Sequence, residues 1–127
     1  MERIKVRVLI VDHNLLLREG LCSLVSHQPD MDIVGVATSA HEAVQLFQKH
    51  RPAVVLMDLD LPEFTGVKSI REICEADPTV CVIGLFTYPL DDSANLALDA
   101  GARTCIAKDR VIRDLAKLIR ECLGPSA

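Results

Sequence analysis

The stretch Val54-Val55-Leu56-Met57-Asp58-Leu59-Asp60-Leu61-Pro62 decides how this chain folds. Four apolar residues run without a polar interruption into a carboxylate, and a turn-forming proline follows. A strand with no polar alternation needs cover on both faces, which is the condition of a parallel sheet flanked by helices. Asp58 then falls at the carboxyl end of such a strand. The same arrangement occurs upstream, where Val8-Leu9-Ile10-Val11 leads into Asp12.

Outward from these two runs, the chain alternates short apolar segments with helix-periodic ones. The apolar segments predict strands at 5–11, 32–36, 53–57, 80–86 and 104–107. Asn14 can cap a first helix that turns Leu17, Leu21, Leu24 and Val25 to one side. Ser39-Ala40-His41-Glu42 has the form of a capping box, and Pro52 follows the second helix. Thr65 can begin a third helix with Val67, Ile70, Ile73 and Cys74 inward and Pro78 beyond its end. The Asp91, Asp92 and Ser93 cluster can cap a fourth, which stops at Gly101 in a left-handed conformation. A fifth buries Val111, Leu115, Leu118, Ile119 and Cys122 and ends near Gly124-Pro125. Alternating strands and helices imply right-handed crossovers and a doubly wound α/β sheet. The strand order expected for five such units is 2-1-3-4-5, and ligands then bind beyond the carboxyl ends of the strands.

Length and composition narrow the function. A chain of 127 residues, half hydrophobic and a quarter charged, suits one packed core. Aromatics are 3% with no Trp, so the core is aliphatic and little is available for stacking on bases. Fourteen Lys and Arg against 18 Asp and Glu give a net charge of −4, which argues against direct gripping of nucleic acid. The five cysteines show no C-x-x-C pair and lie in apolar stretches, so free buried thiols in a reducing compartment are expected. No secretory or membrane-spanning stretch is visible in the sequence, and a cytoplasmic location is the expectation.

The chemistry collects at the strand ends. Asp12, Asp58, Thr87 and Lys108 end strands 1, 3, 4 and 5, and the 2-1-3-4-5 order brings them to one pocket. Taken singly, Asp12 reads as a helix cap, Asp58 as a turn residue, Thr87 as a loop residue and Lys108 as a solvated lysine. Together they supply two carboxylates, a hydroxyl and an ammonium. That set fits covalent phosphoryl transfer: a carboxylate nucleophile, cations on the phosphoryl oxygens and a donor that senses the product.

These residues and their spacing resemble the receiver domain of bacterial two-component response regulators. The likeness rests on Val8-Leu-Ile-Val-Asp12, on Val54 to Pro62 with Gly66, on Phe86-Thr87, and on Gly101-Ala102 with Ala107-Lys108-Asp109. Leu16-Leu-Arg-Glu-Gly-Leu21 and Lys108-Asp109 are similar to the NarL/FixJ-type subfamily. The resemblance covers 1–123 as a flavodoxin-like (βα)5 receiver, with 124–127 as a tail or the start of a linker to an output domain. It implies Asp58 as phospho-acceptor for a sensor histidine kinase, through a 4-aspartylphosphate. It implies Mg²⁺ held by Asp12, Asp58 and the backbone carbonyl of Asp60. Thr87 would be the hydroxyl that moves toward the phosphoryl group, and Lys108 would pair with Asp58 and then with the phosphoryl oxygens. The helix 4–strand 5–helix 5 surface would dimerise or contact a DNA-binding output domain that controls transcription. The only catalysis implied is autophosphorylation from small phosphodonors and slow autodephosphorylation.

Three features depart from that pattern: His13, Cys105, and minor turn changes at Thr65 before Gly66 and at Leu15, where the subfamily often has Pro. His13 stands where the family carries a second metal-binding acid. Imidazole suits Mg²⁺ poorly and the pocket loses a negative charge, so weak Mg²⁺ binding is expected. Alternatively His13 donates to a phosphoryl oxygen. Cys105 replaces the strand 5 aromatic that follows the hydroxyl residue inward, with Tyr88 as a partial substitute. An atypical, phosphorylation-independent interaction module is therefore a second expectation. A remote third is an aspartyl-phosphate phosphatase, because Asp58-Leu-Asp60 resembles the D-x-D motif of haloacid-dehalogenase-type enzymes. The motif lies on the third strand and the chain has no room for a cap, which disfavours it.

Overall fold

Helices pack on both faces of one parallel sheet in the computed structural model, which describes residues 4–87 and 92–124. The strands are β1 (Val6–Val11), β2 (Met31–Ala37), β3 (Val54–Asp58), β4 (Cys81–Phe86) and β5 (Thr104–Ala107), in the order β2-β1-β3-β4-β5. The helices are α1 (Leu15–Ser26), α2 (Ala40–His50), α3 (Thr65–Ala76), α4 (Ser93–Ala100) and α5 (Lys108–Cys122). Val8 pairs with Val54, and Met57 with Gly84, so β1, β3 and β4 end side by side. The strand order and the helix positions agree with the sequence reading, with ends displaced by a residue or so.

Alternate residues of each strand feed two separate cores. Val8 and Ile10 join Leu56, Ile83 and Leu85 on the side of α1 and α5, with Leu21, Val25, Val111, Leu115 and Ile119. Leu9, Val11, Val55, Met57 and Val82 join Phe47, Val67, Ile70 and Ile73 on the side of α2 and α3. The uninterrupted apolar runs are thus accounted for by cover on both faces.

Several local signals operate as read. Asn14 accepts from the Leu17 N–H, capping α1, and Ser39 accepts from the Glu42 N–H, capping α2. Glu42 reaches back to the Thr38 N–H, one residue before its expected partner. Thr65 begins α3, after a short turn, Pro62–Phe64, in which Glu63 and Phe64 have φ of 56° and 58°. Gly101 has φ of +124° and lies so close to Cys74 that a Cβ there would come within 2.8 Å of its side chain. Asp92 occupies the α4 cap position but makes no side-chain cap bond, and Asp91 lies outside the described residues.

The cysteine expectation is corrected. Cys81 and Cys122 form a disulfide between the start of β4 and the end of α5, with Cα atoms 6.2 Å apart. Cys22, Cys74 and Cys105 are free. Burial pushes all three thiols above the ordinary cysteine range. Spacing could not reveal the pairing, because the two partners are 41 residues apart and meet only when α5 lies on the sheet. No helix among the described residues is long and apolar enough to cross a membrane.

Candidate functional site

The sheet delivers its polar groups at one edge. Asp12 directly follows β1, Asp58 closes β3, Thr87 follows β4 and Lys108 is the first residue of α5, one step beyond β5. Asp12 and Asp58 are fully buried, whereas Thr87 is exposed. Gly66 lets α3 approach Asp58, since a Cβ there would lie 2.4 Å from the Asp58 carbonyl oxygen.

Both oxygens of Asp58 are engaged. Oδ1 accepts from the Lys108 ammonium at 2.7 Å and from the Asp60 N–H at 2.8 Å. Oδ2 accepts from the His13 N–H at 3.1 Å and makes a short contact with His13 Nδ1. Because a carboxylate only accepts, the His13 ring is the donor in that contact. Burial would push the Asp58 carboxyl up. The Lys108 ammonium, the His13 ring and N–H, and the Asp60 N–H outweigh it and hold Asp58 below the ordinary carboxylate value.

Asp12 has the opposite balance. Burial pushes its carboxyl up, and the neighbouring Asp58 charge adds to the rise. The Asn14 N–H and Lys108 oppose that rise without cancelling it. Its Oδ1 accepts from the Asn14 N–H at 2.8 Å, and its Oδ2 accepts no hydrogen bond among the described residues. Lys108 Nζ is 3.2 Å from that oxygen and supplies charge without hydrogen-bond alignment. Lys108 also lies 3.1 Å from Asp60 Oδ2. Burial would lower the Lys108 ammonium, but Asp58, Asp12 and Asp60 together hold it above the usual lysine value.

The side chain of Asp60 was missed in the sequence. The receiver resemblance gave a role to its carbonyl alone, yet its carboxylate pairs with Lys108 and accepts from both the Thr87 hydroxyl and the Thr87 N–H. The D-x-D spacing was the available signal. His13, half-exposed, is in direct contact with Asp58. Tyr88 lies outside the described residues. Cys105 Sγ donates to the Ala94 carbonyl at 3.7 Å, tying β5 to the first turn of α4.

A cavity of about 800 Å³ opens over this cluster, lined by His13, Leu16, Asp60, Thr87 and Lys108 among others. A family model described as the response regulator receiver domain matches residues 8–120. The chain belongs to the response regulator receiver family.

Relatives of this receiver carry it within longer proteins. It is 38% identical over 105 residues to a protein-glutamate methylesterase/protein-glutamine glutaminase of Alkalilimnicola ehrlichii, covering 82% of this chain and 27% of that protein. It is 32% identical over 116 residues to the response regulator protein VraR of Staphylococcus saprophyticus, covering 91% of this chain and 56% of that protein. The receiver domain of the putative response regulator NarL from Mycobacterium tuberculosis superposes with a TM-score of 0.87 at 25% identity, covering 97% of this chain and 99% of that one. This chain therefore spans about a quarter of one relative and little more than half of the other.

Receivers bind Mg²⁺ at an acidic pocket, so the donor set here bears directly on that ion. Asp12, His13 and Asp58 each offer one ligand atom, and these atoms all lie within 4.8 Å of one another. The unsatisfied Asp12 Oδ2 gives a divalent cation a reason to enter. Mg²⁺ demands a compact shell of oxygen, however, and the third side chain here offers nitrogen. With His13 in the set the side chains fit Mg²⁺ poorly, and oxygen ligation would rest on Asp12, Asp58 and the Asp60 carbonyl.

Proposed function

We propose that this receiver accepts a phosphoryl group on Asp58 from the phosphohistidine of a sensor kinase or a phosphotransfer protein. The observation that carries the reading is the fully buried, ionised Asp58 carboxylate, held by Lys108 on one oxygen and covered by His13, both of which line an open pocket. Oδ2 is the nucleophile, because Lys108 and the Asp60 N–H retain Oδ1. The half-exposed His13 ring swings off Oδ2 as the donor approaches. Oδ2 bonds to phosphorus, the phosphorus–nitrogen bond of the donor breaks, and the donor imidazole leaves with the electron pair. Lys108 then neutralises the phosphoryl oxygens.

The new group brings roughly 1.5–2 negative charges and three acceptor oxygens. It competes for the Thr87 hydroxyl, which Asp60 holds in the present state. Transfer of that hydroxyl repositions Thr87 at the end of β4 and biases the α4–β5–α5 surface between two arrangements. That surface carries the signal to a second receiver or to an output domain, which in a NarL-type protein binds DNA. Such a regulator works in the cytoplasm, where its phosphodonor is made.

Incubation with a small acyl phosphate and a divalent ion, read by intact mass, tests the assignment. A gain of one phosphoryl group that disappears in Asp58→Asn is expected. No gain with any divalent ion would leave the second reading, a phosphorylation-independent interaction module. That reading is favoured by one observation: His13 already occupies the oxygen the phosphoryl group needs.

A further inference from the structure

We propose that Asp12, His13 and Asp58 form a binding site for a borderline first-row divalent ion of the Zn²⁺ or Ni²⁺ class, with His13 as the residue that selects it over Mg²⁺. The inference rests on the same pocket as the phosphoryl-acceptor reading, but it concerns metal choice and can fail separately.

Three features of the pocket converge. The donor atoms are gathered: Asp12, His13 and Asp58 each offer one ligand atom, and these atoms all lie within 4.8 Å of one another. Asp12 Oδ2 is buried and accepts no hydrogen bond among the described residues, its one cationic neighbour being the unaligned Lys108 ammonium at 3.2 Å, which a divalent ion can replace. The third donor is an imidazole whose Nδ1 contacts Asp58 Oδ2 while its own backbone N–H donates to the same oxygen at 3.1 Å, which places the ring beside the carboxylates. The ring donates from Nδ1 here, but moving the proton to Nε2 frees the Nδ1 lone pair for a metal.

Charge and ligand type then decide which metal. Two carboxylates balance a divalent ion, and a neutral imidazole adds no charge. For Mg²⁺, exchanging an acid for imidazole removes charge and supplies a nitrogen that the ion binds poorly. For Zn²⁺ or Ni²⁺ the nitrogen is a preferred ligand and offsets the lost charge. Lys108 bonds Asp58 through Oδ1 and lies 3.2 Å from Asp12 Oδ2, so an ion that enters beside His13 displaces the ammonium from Asp12 and leaves its bond to Asp58 in place.

First-row ions bind most nitrogen and oxygen sites more tightly than Mg²⁺, so the native preference alone is not diagnostic. The decisive quantity is the change in the Zn²⁺-to-Mg²⁺ affinity ratio on altering His13. Chelator-treated protein is titrated calorimetrically with each ion as native chain, His13→Ala and His13→Asp. His13 is half-exposed, and circular dichroism confirms that each variant is folded. His13→Ala should weaken Zn²⁺ about tenfold or more with no gain in Mg²⁺, and His13→Asp should lower the ratio by at least about tenfold. Co²⁺ substitution should show no thiolate charge-transfer band, which separates this site from Cys22, Cys74 and Cys105.

A ratio unchanged in both variants, or thiolate ligation of Co²⁺, overturns the inference. Phosphoryl transfer is read separately by intact mass. His13-dependent Zn²⁺ binding without phosphorylation would sink the proposed function alone. Phosphorylation with a His13-independent metal ratio would sink this inference alone.

Discussion

Helix α5 is fastened at both ends, by opposite kinds of chemistry. Its first residue, Lys108, reaches three carboxylates carried by or just beyond β1 and β3. Its last residue, Cys122, is bonded to Cys81 at the start of β4. The first attachment is electrostatic and lies in the pocket where a charge would be added. The second is covalent, surrounded by apolar side chains and remote from that pocket. The difference teaches where movement can occur. Under the proposed phosphorylation of Asp58, the Lys108 end is the one expected to respond, with the Cys122 end held by its bond.

Removing the covalent end is the largest perturbation expected. Cys122→Ser, or the native chain with dithiothreitol, should lose about 4 kcal/mol in urea denaturation, given a 41-residue separation between partners. Equal urea midpoints with and without reductant would show that the bond contributes nothing to stability. The same bond fixes the thiol count: denatured, unreduced protein should show three titratable thiols, rising to five on reduction. In the native chain, the raised thiol values predict slow alkylation near neutral pH that accelerates as pH rises beyond the ordinary cysteine range.

Breaking the electrostatic end should cost somewhat less. Lys108→Met leaves Asp12 and Asp58 buried without a cation and should destabilise the fold by roughly 3 kcal/mol in urea denaturation. If Lys108→Met and Cys122→Ser cost the same in combination as their sum, the two ends act independently.

The two buried carboxylates sharpen the contrast within the polar end. Asp12 has a raised value, so its charge works against the fold at neutral pH, whereas Asp58 has a lowered value and its charge works for it. Asp12→Asn should therefore stabilise the chain by on the order of 1 kcal/mol at pH 7 without added divalent ion. A loss of stability there would contradict the assigned directions.

A third, exposed attachment gives the smallest effect. Arg120 pairs with Asp30 through two hydrogen bonds of 2.8 and 2.9 Å, and also donates to Gln28. Arg120→Ala should cost roughly 0.5 kcal/mol and less at high salt, because water and ions screen such a pair. A cost comparable to that of Lys108→Met would mean that α5 is held mainly at its surface.

Much of this molecule was legible one segment at a time. Apolar runs without alternation identified the strands, and their number and helical spacers identified the sheet order. Asn14 and Ser39 announced the helices they cap. The placement of Asp12, Asp58, Thr87 and Lys108 at strand ends followed from the same periodicity, because strand register determines what a strand end presents. The Asp91–Ser93 cluster was less informative: Asp92 reaches the cap position without making the bond, since composition does not specify side-chain direction.

By itself, then, the sequence determined the doubly wound architecture and the four polar groups gathered at its edge. Both are written in local hydrophobic periodicity and in chain order. Only the tertiary structure decided the partners. It turned the Asp60 carboxylate onto Lys108 and Thr87, laid His13 against Asp58 across 45 residues, and joined Cys81 to Cys122 across 41. The physical reason is common to all three. Contacts between distant segments depend on the packing of helices against the sheet, and no spacing along the chain encodes which side chains that packing brings face to face.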